Sequence, residues 1–139
     1  MSVERCPAAA VQAAVYDRIL ADHPTFTVYR YDPESNQPYP RTVFGRISGQ
    51  LDDTKTSRGA RVTIPIEVCS QSPSLTELVQ IMDGILDSLT DSADELEVAG
   101  NWCVILVEAP WSVETLAGDQ KGVIQRGEIL LTVWVEDAS

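Results

Sequence analysis

Thr42-Val43-Phe44-Gly45-Arg46-Ile47, a short apolar run, is separated by a polar segment, residues 48–60, from Arg61-Val62-Thr63-Ile64-Pro65-Ile66-Glu67-Val68. The second run alternates: Val62, Ile64, Ile66 and Val68 point one way, and Arg61, Thr63, Pro65 and Glu67 the other. That period of two marks a strand with one buried and one wet face. The first run reads as a neighbouring strand. The polar, locally basic loop between them exceeds the roughly two to five residues of an ordinary hairpin, and a loop of that length in a small domain is functional or disordered. Pro65 has no amide to donate, so its strand is expected to turn that side to a sheet edge. An edge strand can pair with another chain.

Residues 7–21 read as a helix. Pro7 suits a first helical turn, and Val11, Ala14, Val15, Arg18 and Ile19 share one side, with Arg18 laying its stem along the apolar strip. His23-Pro24 ends it, because the residue before proline is pushed out of the helical region. Residues 27–31 are β-branched and aromatic, hence a strand, and the prolines at 33, 38 and 40 make residues 32–41 an irregular loop.

Beyond the alternating run, Ser74-Leu75-Thr76-Glu77 is a capping-box sequence that opens a helix reaching about Thr90. Leu75, Leu78, Val79, Met82, Ile85, Leu86 and Leu89 form a single apolar stripe along it, and Asp83, Asp87 and Asp91 make an acidic ridge on its other side. A short strand is expected near residues 96–98. Residues 103–109 are apolar on both faces and read as a central strand. Residues 110–122 read as a second long loop. Residues 123–136 form a long last strand, with Ile129, Leu131, Val133 and Val135 on its core face and Gly127 marking a bulge or bend. The expected fold is a single α+β domain over residues 1–139: a mostly antiparallel sheet of about five strands with two main helices packed on one face.

The chain has 139 residues and a net charge of −11. Its length points to one domain, no run approaches a membrane span, and the N-terminus lacks the pattern of a secretory signal. The acidic balance argues against a general nucleic-acid binder. Its distribution is uneven. Arg41, Arg46, Lys55, Arg58 and Arg61 are five of the ten basic residues, and only Asp52 and Asp53 oppose them in that window. Such asymmetry suggests complementary faces, as in head-to-tail self-association or docking to a charged partner. The basic window and the ridge of Asp83, Asp87 and Asp91 are therefore the candidate assembly surfaces. Cys6, Cys69 and Cys103 are an odd number at unpatterned spacings and read as reduced thiols.

Residue types that carry catalysis are scarce. The single histidine, His23, sits in a helix-ending His-Pro pair, and nothing in the sequence places a cysteine beside it. Clustered zinc ligands are absent, as are phosphate-binding glycine loops. Asp83, Asp87, Asp91, Asp94, Glu95 and Glu97 match no calcium loop, and Asp52-Asp53 reads as a turn pair. No catalytic residue, metal site or cofactor is assigned.

The pattern resembles the small tail-terminator, or tail-completion, proteins of long-tailed bacteriophages and related prophages. The resemblance rests on an Ala-rich first helix containing Ala14-Val15-Tyr16-Asp17-Arg18-Ile19-Leu20 and on the proline-led second strand. It rests also on the polar loop feeding residues 61–69, on the helix from Leu75 to Leu89, and on the last strand after a glycine-containing loop. It covers about residues 8–137 and depends on element order and apolar pattern rather than on an invariant motif. It implies a structural, non-enzymatic role at the head-proximal end of the virion tail, reached by assembly in the host cytoplasm. There a homo-hexameric ring would stop tube polymerisation and present the head-joining surface. The implied partners are further copies of the chain, the tail-tube protein, the head-neck connector protein, and double-stranded DNA passing through the lumen without sequence-specific contact. A monomer in solution is compatible with that role.

Three rival readings remain open at this level. A head-completion or neck connector protein would share the small, acidic α/β character. An acidic DNA mimic is suggested by the ridge at Asp83, Asp87 and Asp91 but opposed by the basic loop. A hydrolase would have to be built on His23 with a cysteine.

Overall fold

The computed structural model describes residues 6–30, 39–53, 58–90, 96–100, 102–116 and 123–137. Among them the element order is α1 (Ala8–Asp22), β1 (Val28–Tyr29), β2 (Arg41–Phe44), β3 (Ser48–Leu51), β4 (Gly59–Ser70), α2 (Thr76–Thr90), β5 (Trp102–Glu108), β6 (Trp111–Leu116) and β7 (Ile124–Asp137).

The two long alternating runs form the spine of the sheet. β4 and β7 pair antiparallel along the whole of β4, from Gly59 opposite Glu136 to Ser70 opposite Gln125. Each long strand is too long for one short neighbour, so each outer side carries two. On the β4 side, β2 takes the C-terminal half (Thr42 opposite Val68) and β3 the N-terminal half (Gln50 opposite Arg61). On the β7 side, β6 takes the N-terminal half (Glu114 opposite Arg126) and β5 the C-terminal half (Leu106 opposite Trp134). β1 adds to β2 in the one parallel pairing among the described residues.

The α+β class and the mostly antiparallel sheet agree with the sequence reading. The strand count does not, since the described residues hold seven strands rather than about five. The two extra strands, β3 and β6, lie inside the segments read as long loops. Neither carries an apolar alternation that a buried strand would impose, because almost every residue in both is exposed.

β5 is not central. Among the described residues it pairs with β7 alone, and its outward apolar residues, including Leu106, are exposed. Pro65 does not mark an outer edge. It sits where the neighbour of β4 changes from β2 to β3, and its carbonyl accepts the Gly45 amide at 2.6 Å. Within a strand a residue's N–H and C=O share a side, so the missing donor of Pro65 faces the break between two partners. Leu96 and Val98 are core residues without strand structure. The ladder irregularity lies in β5, between Val104 and Leu106, and not at Gly127.

Both helices pack on the face of the sheet formed by Val62, Ile64, Ile66 and Val68 of β4 and Ile129, Leu131, Val133 and Val135 of β7, all of them buried. α1 contributes Val11, Ala14, Val15 and Ile19 to the core. α2 contributes Leu78, Met82, Ile85 and Leu89, while Leu75 and Val79 of the predicted stripe stay exposed. The capping box is replaced by a chain of serine contacts: Ser74 Oγ accepts the Thr76 amide at 3.4 Å, and Glu77 accepts the Ser70 hydroxyl at 2.6 Å.

His23 is a link between the helices. Its ring lies on Phe26 with centroids 4.5 Å apart, and Nε2 is 3.0 Å from the Gly84 carbonyl oxygen of α2. A Cβ on Gly84 would stand 3.0 Å from the His23 ring, so the glycine allows this close approach.

Candidate assembly surface

The polar segment between β2 and β4 folds back as a hairpin arm. Gly45, tight against Pro65, lets the chain turn from β2 toward β3, and the exposed Arg46 lies at that corner. β3 then runs antiparallel to β4. At the hairpin end the Asp52 amide donates to the Gly59 carbonyl at 2.9 Å, and the Asp53 carboxylate accepts the Gly59 amide at 3.1 Å. Asp53 is thus a turn-closing residue, in the way aspartates commonly stabilise turns. The Arg58 carbonyl accepts the Asp137 amide at 2.7 Å, tying the arm to the end of β7 while leaving the Arg58 side chain exposed.

The predicted basic window is only partly brought together. Arg46, Arg58 and the half-buried Arg61 belong to the arm and its base. Arg41 is drawn away, its guanidinium 4.8 Å from the centre of the Tyr39 ring. Lys55 lies outside the described residues. Asp83 and Asp87 are exposed on α2, on the helical side of the molecule, and Asp91 lies outside the described residues. The arm and the ridge therefore occupy different layers of the fold.

Beneath the arm is a cleft of about 250 Å³ between the start of α1 and β3, lined by Cys6, Pro7, Ile47, Leu51 and Val62 among others. Its walls are mostly apolar, and Leu51 is 52% exposed at its rim.

Charge of the other sign gathers farther along the sheet, around β6 and the start of β7. On the face away from the helices, Arg126 of β7 meets Glu67 of β4 at 2.9 Å, Glu114 of β6 at 2.7 Å and Glu128 of β7 at 3.5 Å. Three carboxylates around one guanidinium leave this patch acidic. Glu114 first, and Glu67 after it, hold Arg126 protonated well above the ordinary range for its type. Glu108 and Glu114 are exposed along the β5 and β6 side, together with Ile105, Leu106, Trp111 and Leu116. This apolar and acidic margin was missed in the sequence. Its one signal is the apolar character of residues 103–109 on both faces, which a buried strand shares.

Neither histidine nor cysteine chemistry is assembled. His23 contacts Gly84 and Phe26, whereas the buried Cys69 thiol donates to Glu67 at 3.4 Å. Among the described residues no group of three or more His, Cys, Asp or Glu side chains is arranged to hold a metal ion. None of their helices is long and apolar enough to cross a membrane.

Residues 7–136 match the family profile described as Tail completion protein gp17. Comparison with curated protein sequences finds no match. Among solved structures, the chain is similar to a chain of the virion of a native gene transfer agent particle. The TM-score is 0.72 and the identity 18%, covering 96% of this chain and 99% of that one. It is also similar to the bacteriophage SPP1 gp17 protein, with a TM-score of 0.56 and 21% identity over 90% of this chain and 88% of that one. At these identities the structures speak for a shared fold.

Proposed function

The chain belongs to the gp17 family of tail completion proteins, and we propose that it closes the head-proximal end of a phage tail tube as a ring of identical subunits. In this reading the ring stops tube elongation and offers the surface to which the head is joined. The observation that carries it is the family match over residues 7–136, which runs from the first helix into the last strand. The whole-chain likeness to a subunit of a gene transfer agent virion supports the same assignment.

The physical character of the chain suits a structural part. A ring requires heterologous contacts, two different patches that complement each other. The arm bearing Arg46, Arg58 and Arg61 and the margin bearing Glu108 and Glu114 have opposite signs and lie on opposite sides of the sheet. The chain's overall charge of −11 lets DNA pass a lumen without adhering, because phosphate contacts need cations. Arg46, Asp52, Asp53, Lys55, Arg58, Arg61, Asp83, Asp87 and Asp91 are proposed as the assembly set, the arm toward a neighbour or the tube and the α2 ridge toward a basic partner.

The test mixes the purified protein with tail tubes and, separately, with portal complexes, and images both by electron microscopy. Caps at one end of the tubes, with tube growth arrested in their presence, are expected. Binding to portals with tubes left bare would overturn the assignment in favour of a head-completion role.

A further inference from the structure

Among the described residues four short strands, β1, β3, β5 and β6, carry the outer edges of the sheet, and they manage them differently. β1, which covers β2, is two residues long. β5 is interrupted by the register shift between Val104 and Leu106. Very short strands and bulges are ways in which proteins blunt a sheet edge against pairing. β3 and β6 have neither device. Each keeps an unbroken register, Ser48–Leu51 against β4 and Trp111–Leu116 against β7. Neither contains proline or lysine, the residues that commonly guard an edge. Among the described residues β3 pairs only with β4 and β6 only with β7. Ladder alternation therefore leaves every second residue of both strands with its N–H and C=O unpaired.

The two open edges lie on opposite sides of the β4–β7 spine, so they cannot pair with each other within one chain. They match in other respects. Leu51 is 52% exposed on β3, and Trp111 and Leu116 are 61% and 40% exposed on β6. The β3 side carries Arg46, Arg58 and Arg61, and the β6 side carries Glu114 with Glu128 beside it.

We infer that the open edge of β3 in one copy of this chain pairs with the open edge of β6 in the next, joining their sheets into one. The contact is heterologous, because two different edges meet. It therefore propagates head to tail and closes when the rotation between copies allows. Main-chain hydrogen bonds supply the attraction, and the arginine and glutamate margins fix which edges meet. This rests on the reading of the protein as a ring-forming tail component and names the surfaces that would form it.

The test uses the full chain with its exposed cysteines removed (Cys6→Ser, Cys103→Ser) and one cysteine placed on each edge, Gln50→Cys and Ser112→Cys. Both positions are exposed, and their register partners Arg61 and Glu128 share the face away from the helices. Oxidation is carried out at high protein concentration and on tail tubes. A ladder of cross-linked species beyond the dimer is expected from the double variant, and only dimers from an equal mixture of the two single variants. Adding Arg58→Glu and Arg61→Glu, which reverses the charge on the β3 side, should abolish the ladder while circular dichroism stays native. No cross-linking under either condition, or a double variant that stops at the dimer, would overturn the inference. Tube binding is scored separately. Capped tubes without the ladder sink the edge pairing alone, and a ladder without tube binding sinks the tail assignment alone.

Discussion

Met82 of α2 occupies the space that a side chain on Gly127 of β7 would need: a Cβ built there collides with its sulfur and stands 3.1 Å from its methyl carbon. Gly127 is thus the place where the second helix comes down onto the sheet. Gly127→Ala should destabilise the protein by about 1 kcal/mol, because the atoms in its way are the flexible end of Met82, which must leave its packed position. Met82→Ala alone should cost about 2–5 kcal/mol for the cavity it leaves. In the Met82→Ala background the clash is gone, and Gly127→Ala should become neutral or stabilising, since glycine in a strand costs roughly 0.5–1 kcal/mol relative to alanine. Urea midpoints of the four proteins in this cycle check it. Additive losses would show that the helix does not rest on Gly127.

The same helix shows what the sequence could reveal and what it could not. Leu78, Met82, Ile85 and Leu89 were legible as core because burial imposes a helical period, just as Ile64, Ile66, Leu131 and Val133 were legible from their period of two. β3 and β6 were not legible, because a strand exposed on both faces has no pattern to show: Ser48-Gly49-Gln50-Leu51 has the composition of a loop. The apolar run at residues 103–109 misled for the opposite reason. Ile105 and Leu106 are apolar and exposed, so their hydrophobicity reports a surface rather than a core. The acidic ridge was found by spacing alone. The cluster around Arg126 joins three strands through sheet register, which no local spacing encodes.

The His23 ring and Gly84 form a second close contact, with Nε2 at 3.0 Å from the carbonyl oxygen and the ring stacked on Phe26. His23→Ala should cost about 1–2 kcal/mol, the typical net worth of one hydrogen bond plus an aromatic pair. Alanine is normally better than glycine inside a helix by about 1 kcal/mol. At position 84 that gain should vanish in the parent protein, because the new Cβ meets the His23 ring at 3.0 Å. It should reappear in part once His23 is alanine and Phe26 is free to step back. Thermal denaturation of the single and double variants decides it. A full gain from Gly84→Ala with His23 present would show that the contact is loose.

Arg126 balances Glu67, Glu114 and Glu128 while about a third of its side chain is exposed, 34% by area. Exposed pairs are worth roughly 0–1 kcal/mol each because solvent screens them. Removing the guanidinium also leaves three carboxylates facing one another. Arg126→Gln should therefore cost about 1–2 kcal/mol at low ionic strength. Salt at about 1 M, where the screening length is near 3 Å, should shrink that loss by half or more. Denaturation at two salt concentrations measures this. A loss that does not depend on salt would mean that Arg126 acts by packing its stem and not by charge.

Cys69 differs from Cys6 and Cys103 in being buried, with its thiol hydrogen aimed at Glu67. Burial first, and the negative charge of Glu67 second, push its pKa from 9.0 up to about 11. The folded protein thus keeps this proton at a pH where the unfolded chain has lost it. The sign follows directly: the protonated thiol is accommodated without penalty below about pH 9, and stability is lost as the pH rises toward 11. Cys69→Ala removes the titration but also removes a well-packed sulfur. The variant should be less stable than the parent at neutral pH, and the gap should narrow by about 2 kcal/mol between pH 9 and 11. At pH 8 a thiol reagent should label Cys6 and Cys103 in the folded protein and reach Cys69 only on unfolding, because the thiolate is the reacting species and burial suppresses it. A stability gap that stays constant with pH, or labelling of all three thiols at one rate in the native protein, would remove Cys69 from the set of proton-holding core groups.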